Sequence, residues 1–241
     1  MSEKFEHSIE LSGGFNDKEN KSHTRVVFGK RLTTKDLIDL DNDPQAANPT
    51  QYNDLIRRKM IVKFGDLKMP ATLNALLSLD SIDREDLAAA ADKFVQASRG
   101  ETIGEMREDG EVKLRFGFDI DGTTYNVVRF GKLTTGKDEM EADALGSGVA
   151  RQCFLIGRQI TSLSTDDGLA RIEGAVAPDK FNALDAEDFN QLRMGELLWR
   201  NSFRLKRTGV SVERDGGDGV YSGAGDAIVG SGDSESADGA D

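Results

Sequence analysis

Apolar positions alternate between a period of two and a helical period, and they do so twice along the chain. Phe5, Ile9 and Leu11 fall at even spacing near the start, and Val112, Leu114 and Phe116 do the same in the second half. Such spacing predicts strands with one face on a core. The second stretch, VKLRFGFDI, runs into Asp121-Gly122 and then TTYNVVRF. Asp-Gly between alternating runs predicts a tight hairpin, because that turn needs residues that accept positive φ. The matching connection in the first half, SGGFNDKENKSH, is longer and polar. Each hairpin leads into Leu-Thr-Thr, where a threonine can cap a helix. Thr34 is placed to cap KDLIDLD, and Thr135 or Thr134 to cap GKDEMEADAL. The helical period returns over 50 to 65, with Tyr52, Leu55, Ile56, Met60 and Phe64 on one face. It returns again over 149 to 164, with Val149, Cys153, Ile156, Ile160 and Leu163. A last helix closes each half, over 76 to 94 and 181 to 197, with start signals at Ser81 or Asp83 and at Asp185.

The two halves also share words. Residues 26 to 38 read VVFGKRLTTKDLI and residues 127 to 140 read VVRFGKLTTGKDEM. Val-Val, Phe-Gly-Lys, Leu-Thr-Thr and Lys-Asp recur in one order, with single-residue offsets. The predicted fold class is α+β: two tandem repeats of a β-hairpin followed by a small helical bundle. The repeats are expected over 1 to 99 and 111 to 207, joined by a polar linker at 100 to 110. The helices must cover one face of each hairpin, since a two-stranded hairpin is marginal in water.

Composition narrows the function. The net charge is −12, which argues against binding duplex nucleic acid. Half of that charge sits in the last 28 residues, which hold six Asp, one Glu and one Arg among Gly, Ser and Ala. Such a segment cannot bury enough apolar surface to offset its ordering entropy, so 208 to 241 is expected to be a disordered acidic tail. One cysteine, Cys153, excludes an intramolecular disulfide framework. No apolar run reaches the roughly 20 residues of a membrane helix, and the first residues lack a signal-peptide pattern, so a cytoplasmic compartment is expected.

Candidate chemistry is sparse. FDIDGTT, from Phe118 to Thr124, matches the Asp-x-Asp-Gly-Thr pattern of haloacid-dehalogenase phosphotransferases, in which Asp119 would attack phosphorus and Asp121 would serve as acid and base. The alternating stretch before it does not read as a buried parallel strand, so a plain hairpin turn is the better reading. Cys153 on an apolar face reads as a core thiol, and His23 among polar residues as solvent-facing. Asp41-Asn42-Asp43 and Asp166-Asp167 read as helix-end loops in preference to cation sites. Two basic clusters stand out: Arg57, Arg58, Lys59 and Lys63, and Arg200, Arg204, Lys206 and Arg207 beside Trp199 and Phe203. No cofactor or metal site is expected, and no enzymatic activity.

The repeated unit resembles the tail assembly chaperones of bacteriophages. VVRFGKLTTGKDEMEAD, RQCFLIGRQITSLS and FNALDAEDFNQLRMGEL carry the resemblance in the second half; VVFGKRLTTKDLIDLD, NDLIRRKMIVKFG and LLSLDSIDREDL carry it in the first. It covers about Ile9 to about Leu198. It implies a non-enzymatic protein of the infected host's cytoplasm that binds the tape measure protein during tail building. A binder of a long helical chain needs repeated apolar grooves, and linked sites gain avidity. On this reading Tyr52, Ile56, Met60, Ile156, Ile160, Trp199 and Phe203 form the partner surface, for the tape measure protein or for another copy of this chain. The competing readings are a structural tail component of the tube or terminator class and the phosphatase.

Overall fold

A computed structural model describes residues 5–99, 107 and 109–208. The first half runs β1 (His7–Asn16), β2 (Ser22–Phe28), α1 (Thr34–Asp41), a 3-10 turn at Pro44–Ala47, α2 (Pro49–Met60), β3 (Ile61–Phe64), α3 (Leu73–Leu77) and α4 (Ser81–Arg99). The second runs β4 (Glu111–Ile120), β5 (Thr123–Phe130), α5 (Gly136–Asp143), α6 (Gly148–Gln159), β6 (Ile160–Ser164), β7 (Arg171–Glu173), a 3-10 turn at Pro178–Ala183 and α7 (Ala186–Thr208). The fold is mixed α+β with two small antiparallel sheets, β1-β2-β3 and β4-β5-β6-β7. The expected tail lies outside the described residues, as does most of the linker.

The strands after α2 and α6 correct the expected hairpins. The helical periods over 50 to 65 and 149 to 164 each contain a helix that turns directly into a strand. At Ile61 ψ swings to 125° and at Ile160 to 132°, with no intervening loop. Phe64, Ile160 and Leu163 therefore fill the core from strands. Met60 and Phe64 are four apart, a spacing that fits a helix face equally well, so periodicity alone missed the switch. The β-branched pairs Ile61-Val62 and Ile160-Thr161 are its local cause, since crowding at Cβ favours extended backbone.

The polar connection SGGFNDKENKSH is also mostly strand. Residues 11 to 14 of β1 face one residue of β2, between the pairs Glu10↔Arg25 and Phe15↔His23. Residues 114 to 117 of β4 do the same between Lys113↔Val127 and Phe118↔Tyr125. Each wide bulge turns three consecutive N–H groups away from the sheet ladder. Asp83, from the first turn of α4, accepts those of Ser12, Gly13 and Gly14 at 2.7, 3.1 and 2.6 Å. Asp188, from the first turn of α7, accepts those of Arg115, Phe116 and Gly117 at 2.9, 2.8 and 2.8 Å. Both aspartates are fully buried. Gly14 and Gly117 close the bulges at φ 68° and 72°, where a Cβ would sit within 2.4 and 2.5 Å of a strand carbonyl.

The shared words now have physical jobs. Phe28 and Phe130 are buried under the closing helices, Phe28 against Phe94 and Phe130 against Trp199. Gly29 and Gly131 let the chain pass Val62 and Thr161. Thr33 and Thr135, each with an aspartate three residues on, form capping boxes for α1 and α5. Thr34, expected to cap α1, is instead its first residue and is buried. Lys30 and Lys59 hold the Asp36 carboxylate, at 2.9 and 3.3 Å, and Arg158 lies 3.6 Å from Asp138. Asp80 and Asp185 accept the N–H groups of Asp83 and Glu187 and so cap the closing helices, in place of Ser81 or Asp83 in the first half.

Candidate interaction surfaces

Each residue with candidate chemistry has a definite place in the fold. Asp121 and Gly122 form the β4–β5 turn at φ 52° and 78°. Asp119 pairs with Thr124 on the same antiparallel hairpin, and both aspartates are exposed at its tip. Cys153 is buried, which pushes its thiol up to about 12. His23 is buried, not solvent-facing. Its Nδ1 accepts the N–H of Asp66 at 3.3 Å, which leaves the proton on Nε2 to donate to Asp17 at 3.0 Å. That bond holds the Asp17 carboxyl below its usual range. Asp41 accepts from the Ser147 hydroxyl at 2.7 Å and from the Val149 N–H at 3.1 Å. Asp43 caps the 3-10 turn through Gln45. Asp166 and Asp167 sit in the β6–β7 turn, not at a helix end, where Asp166 pairs with Lys113 at 2.7 Å and Asp167 accepts from Thr165 at 2.6 Å. Among the described residues, no group of three or more His, Cys, Asp or Glu is placed to hold a metal ion.

The basic clusters are partly neutralised. Arg57 and Arg84 both pair with the buried Asp54, at 2.9 and 2.6 Å, which ties α2 to α4. Lys59 is held by Asp36, and Arg200 by Glu196. Lys206 and Arg207 lie where side chains are not described.

The expected partner surface divides. Met60, Ile156, Ile160 and Trp199 are core residues and are not available to a partner. Tyr52 and Ile56 are half-buried in a small cluster with Leu37, Leu40, Leu55 and Leu73. Phe203 is exposed and rests on Trp199, with ring centroids 6.0 Å apart.

Two apolar surfaces escaped the sequence reading. On α7, Phe189, Leu192 and Trp199 face the core, while Met194, Leu197 and Leu198 lie on the opposite side and are 52%, 46% and 40% exposed. A helix that is apolar on two opposite sides has a single covered side here, and the other is open. Helical spacing over 186 to 203 places Met194, Leu197 and Leu198 on this second stripe, opposite the Trp199–Phe203 side. The other surface follows Phe130: Leu133, Met140 and Leu145 are 36%, 77% and 43% exposed along α5 and its flanks. Comparison of the chain with protein-family models, with curated proteins and with solved structures gives no significant match. Among the described residues, no helix is long and apolar enough to cross a membrane.

Proposed function

We propose that the chain is two tandem copies of one α+β unit and that it works as a phage tail assembly chaperone, holding helical segments of a tape measure protein in the host cytoplasm. Support for the duplication comes from the equivalent bulges, buried aspartates and capping boxes of the two halves, each of which, apart from 3-10 turns, runs strand, strand, helix, helix, strand and closes on a long helix, with β7 in the second half where the first has α3. The outer stripe of α7 carries the binding reading. Met194, Leu197 and Leu198 follow i, i+3, i+4 spacing and present a rigid apolar ridge suited to the apolar face of an amphipathic helix. The resemblance of the repeated motifs supplies the class of partner.

A ridge of three apolar side chains makes a small contact that binds weakly by itself, so many chains along one tape measure gain by avidity. The test is co-expression with the tape measure protein of the phage genome that encodes this chain, followed by pull-down and by assay of the tape measure's solubility. Wild type is expected to keep it soluble and to co-purify; a Met194→Asp, Leu197→Asp double variant is expected to lose it while keeping the native circular dichroism spectrum. Soluble, fully assembled tape measure in the absence of this chain would overturn the proposal, and stoichiometric amounts of the chain in purified particles would replace it with a structural tail role.

A further inference from the structure

The contact between the two halves is built from two dissimilar patches, and each patch has an unused counterpart. One patch is the segment from Arg31 through α1. Leu32 accepts the N–H of Ala186 at 3.0 Å, and Thr34 donates its N–H to Leu184 at 2.8 Å, in a short antiparallel bridge centred on Thr33 and Asp185. The Arg31 guanidinium lies 3.3 Å over the Phe116 ring and 3.4 Å from Asp185. Leu37 and Ile38 pack on the second core, and Asp41 reaches the start of α6 through Ser147 and Val149. The other patch is the Leu184–Ala186 edge with the start of α6.

The equivalence of Phe28-Gly29-Lys30 with Phe130-Gly131-Lys132, and of Leu79-Asp80 with Leu184-Asp185, locates the counterparts. The first is the segment from Leu133 through α5. There Thr135 stands where Thr33 does, Gly136 where Thr34 does, Met140 where Ile38 does, and Asp143, here paired with Arg151 of α6 at 2.7 Å, where Asp41 does. The second is the Leu79–Ser81 edge with the start of α2 at Asn48. Within this chain neither meets a partner of the kind its equivalent has. Ile38 is half-buried on the second core, whereas Met140 is 77% exposed. Thr33 is half-buried, whereas Thr135 is exposed. Asp80 and Ser81 are exposed, and Ile82 beside them is 62% exposed. Among the described residues, neither Gly136 nor Ser81 donates its N–H to a carbonyl outside its own helix, as Thr34 and Ala186 do.

We propose that the α5 segment of one chain docks on the Leu79–Ile82 edge of a second copy, so that copies add head to tail by repeating between chains the contact that joins the halves within one. The occupant follows from continuity with that contact: each free patch is the equivalent of one that this fold already pairs. The two patches differ, so the interface is heterologous, and repetition closes a ring or extends a filament. Such an array would line up the α7 stripes at a regular spacing, as a long helical partner requires. The inference rests on the two-copy reading and not on the identity of the partner.

Sedimentation velocity of the full chain, from low micromolar to near-millimolar concentration, tests it. Wild type is expected to grow in mass with concentration. Met140→Asp and Ser81→Glu, both surface changes, are each expected to hold the chain at the mass of one copy, since Met140 stands where Ile38 does and Ser81 where the buried Ala186 does. Each variant retains one intact patch, so an equimolar mixture of the two is expected to form one junction and stop at the mass of two copies. A wild type that stays monomeric throughout, assembly indifferent to both substitutions, or a mixture that stays monomeric would each overturn the proposal. The Met194→Asp, Leu197→Asp variant separates the two readings: it is expected to assemble normally while failing to hold the tape measure.

Discussion

At the scale of single residues, two kinds of buried carboxylate matter. Asp83 and Asp188 each take up three backbone N–H groups that the bulges leave outside the sheet. Replacing either with alanine strands all three donors, at about 1–3 kcal/mol apiece. Asp83→Ala and Asp188→Ala are each expected to lower stability by at least about 3 kcal/mol in urea titrations, with asparagine recovering part of the loss through its one oxygen. Asp185 behaves oppositely. Burial pushes its carboxyl up to about 6, against the pull of the Glu187 N–H and of Arg31. An acid that holds its proton more tightly when folded costs nothing below its unfolded pKa, and the cost grows until pH passes the folded value. Between about pH 4 and pH 7, wild type is expected to lose on the order of 2–3 kcal/mol relative to Asp185→Asn. Equal pH slopes for the two proteins would remove Asp185 from the account.

At the scale of elements, the bulges and the tight turn use glycine for different reasons. Gly117 and Gly122 share positive φ, 72° and 78°. A Cβ on Gly117 would meet the Tyr125 carbonyl at 2.5 Å, whereas one on Gly122 meets nothing within 4 Å. Gly122→Ala is expected to cost about 1–2 kcal/mol, the price of left-handed backbone alone. Gly117→Ala is expected to cost several kcal/mol more, because a backbone carbonyl cannot step aside as a side chain can. Thermal melts of the two variants compare these directly; equal losses would show that φ alone governs the bulge.

At the scale of the whole molecule, α1 belongs to two cores. Leu37 packs on the small cluster around Leu40 and Leu55 and also on the second half's core. The halves should therefore unfold together. Trp199, the single tryptophan, lies in the second half and reports on it alone. Leu37→Ala, a change in the first half, is expected to shift the Trp199 fluorescence midpoint and the circular dichroism midpoint equally. The loss expected at this partly buried site is about 1–2 kcal/mol, or several degrees in melting temperature. A Trp199 transition that stays in place while the rest moves would mean that the halves melt independently.

The sequence by itself determined the pattern of the elements. The Asp121-Gly122 turn was legible because few residues accept positive φ. The helix starts near Thr33, Thr135 and Asp185 were legible because orphan N–H groups call for short polar side chains. Cys153 was legible as a core thiol from its apolar neighbours. Tertiary structure decided the rest. The switch to strand at Ile61 and Ile160 was hidden because residues four apart satisfy a helix face and a short strand alike, and pairing with β2 and β5 settles which forms. Asp83 and Asp188 reach bulges some seventy residues away in sequence, and no local spacing encodes that contact. The polar sequence neighbours of His23 point to an exposed ring, yet Asp17 and Asp66, drawn in by two loops, satisfy both ring nitrogens in a buried setting. Only the folded chain separates the buried side of α7 from the open stripe of Met194, Leu197 and Leu198, since exposure is a property of what packs against a helix and not of the helix itself.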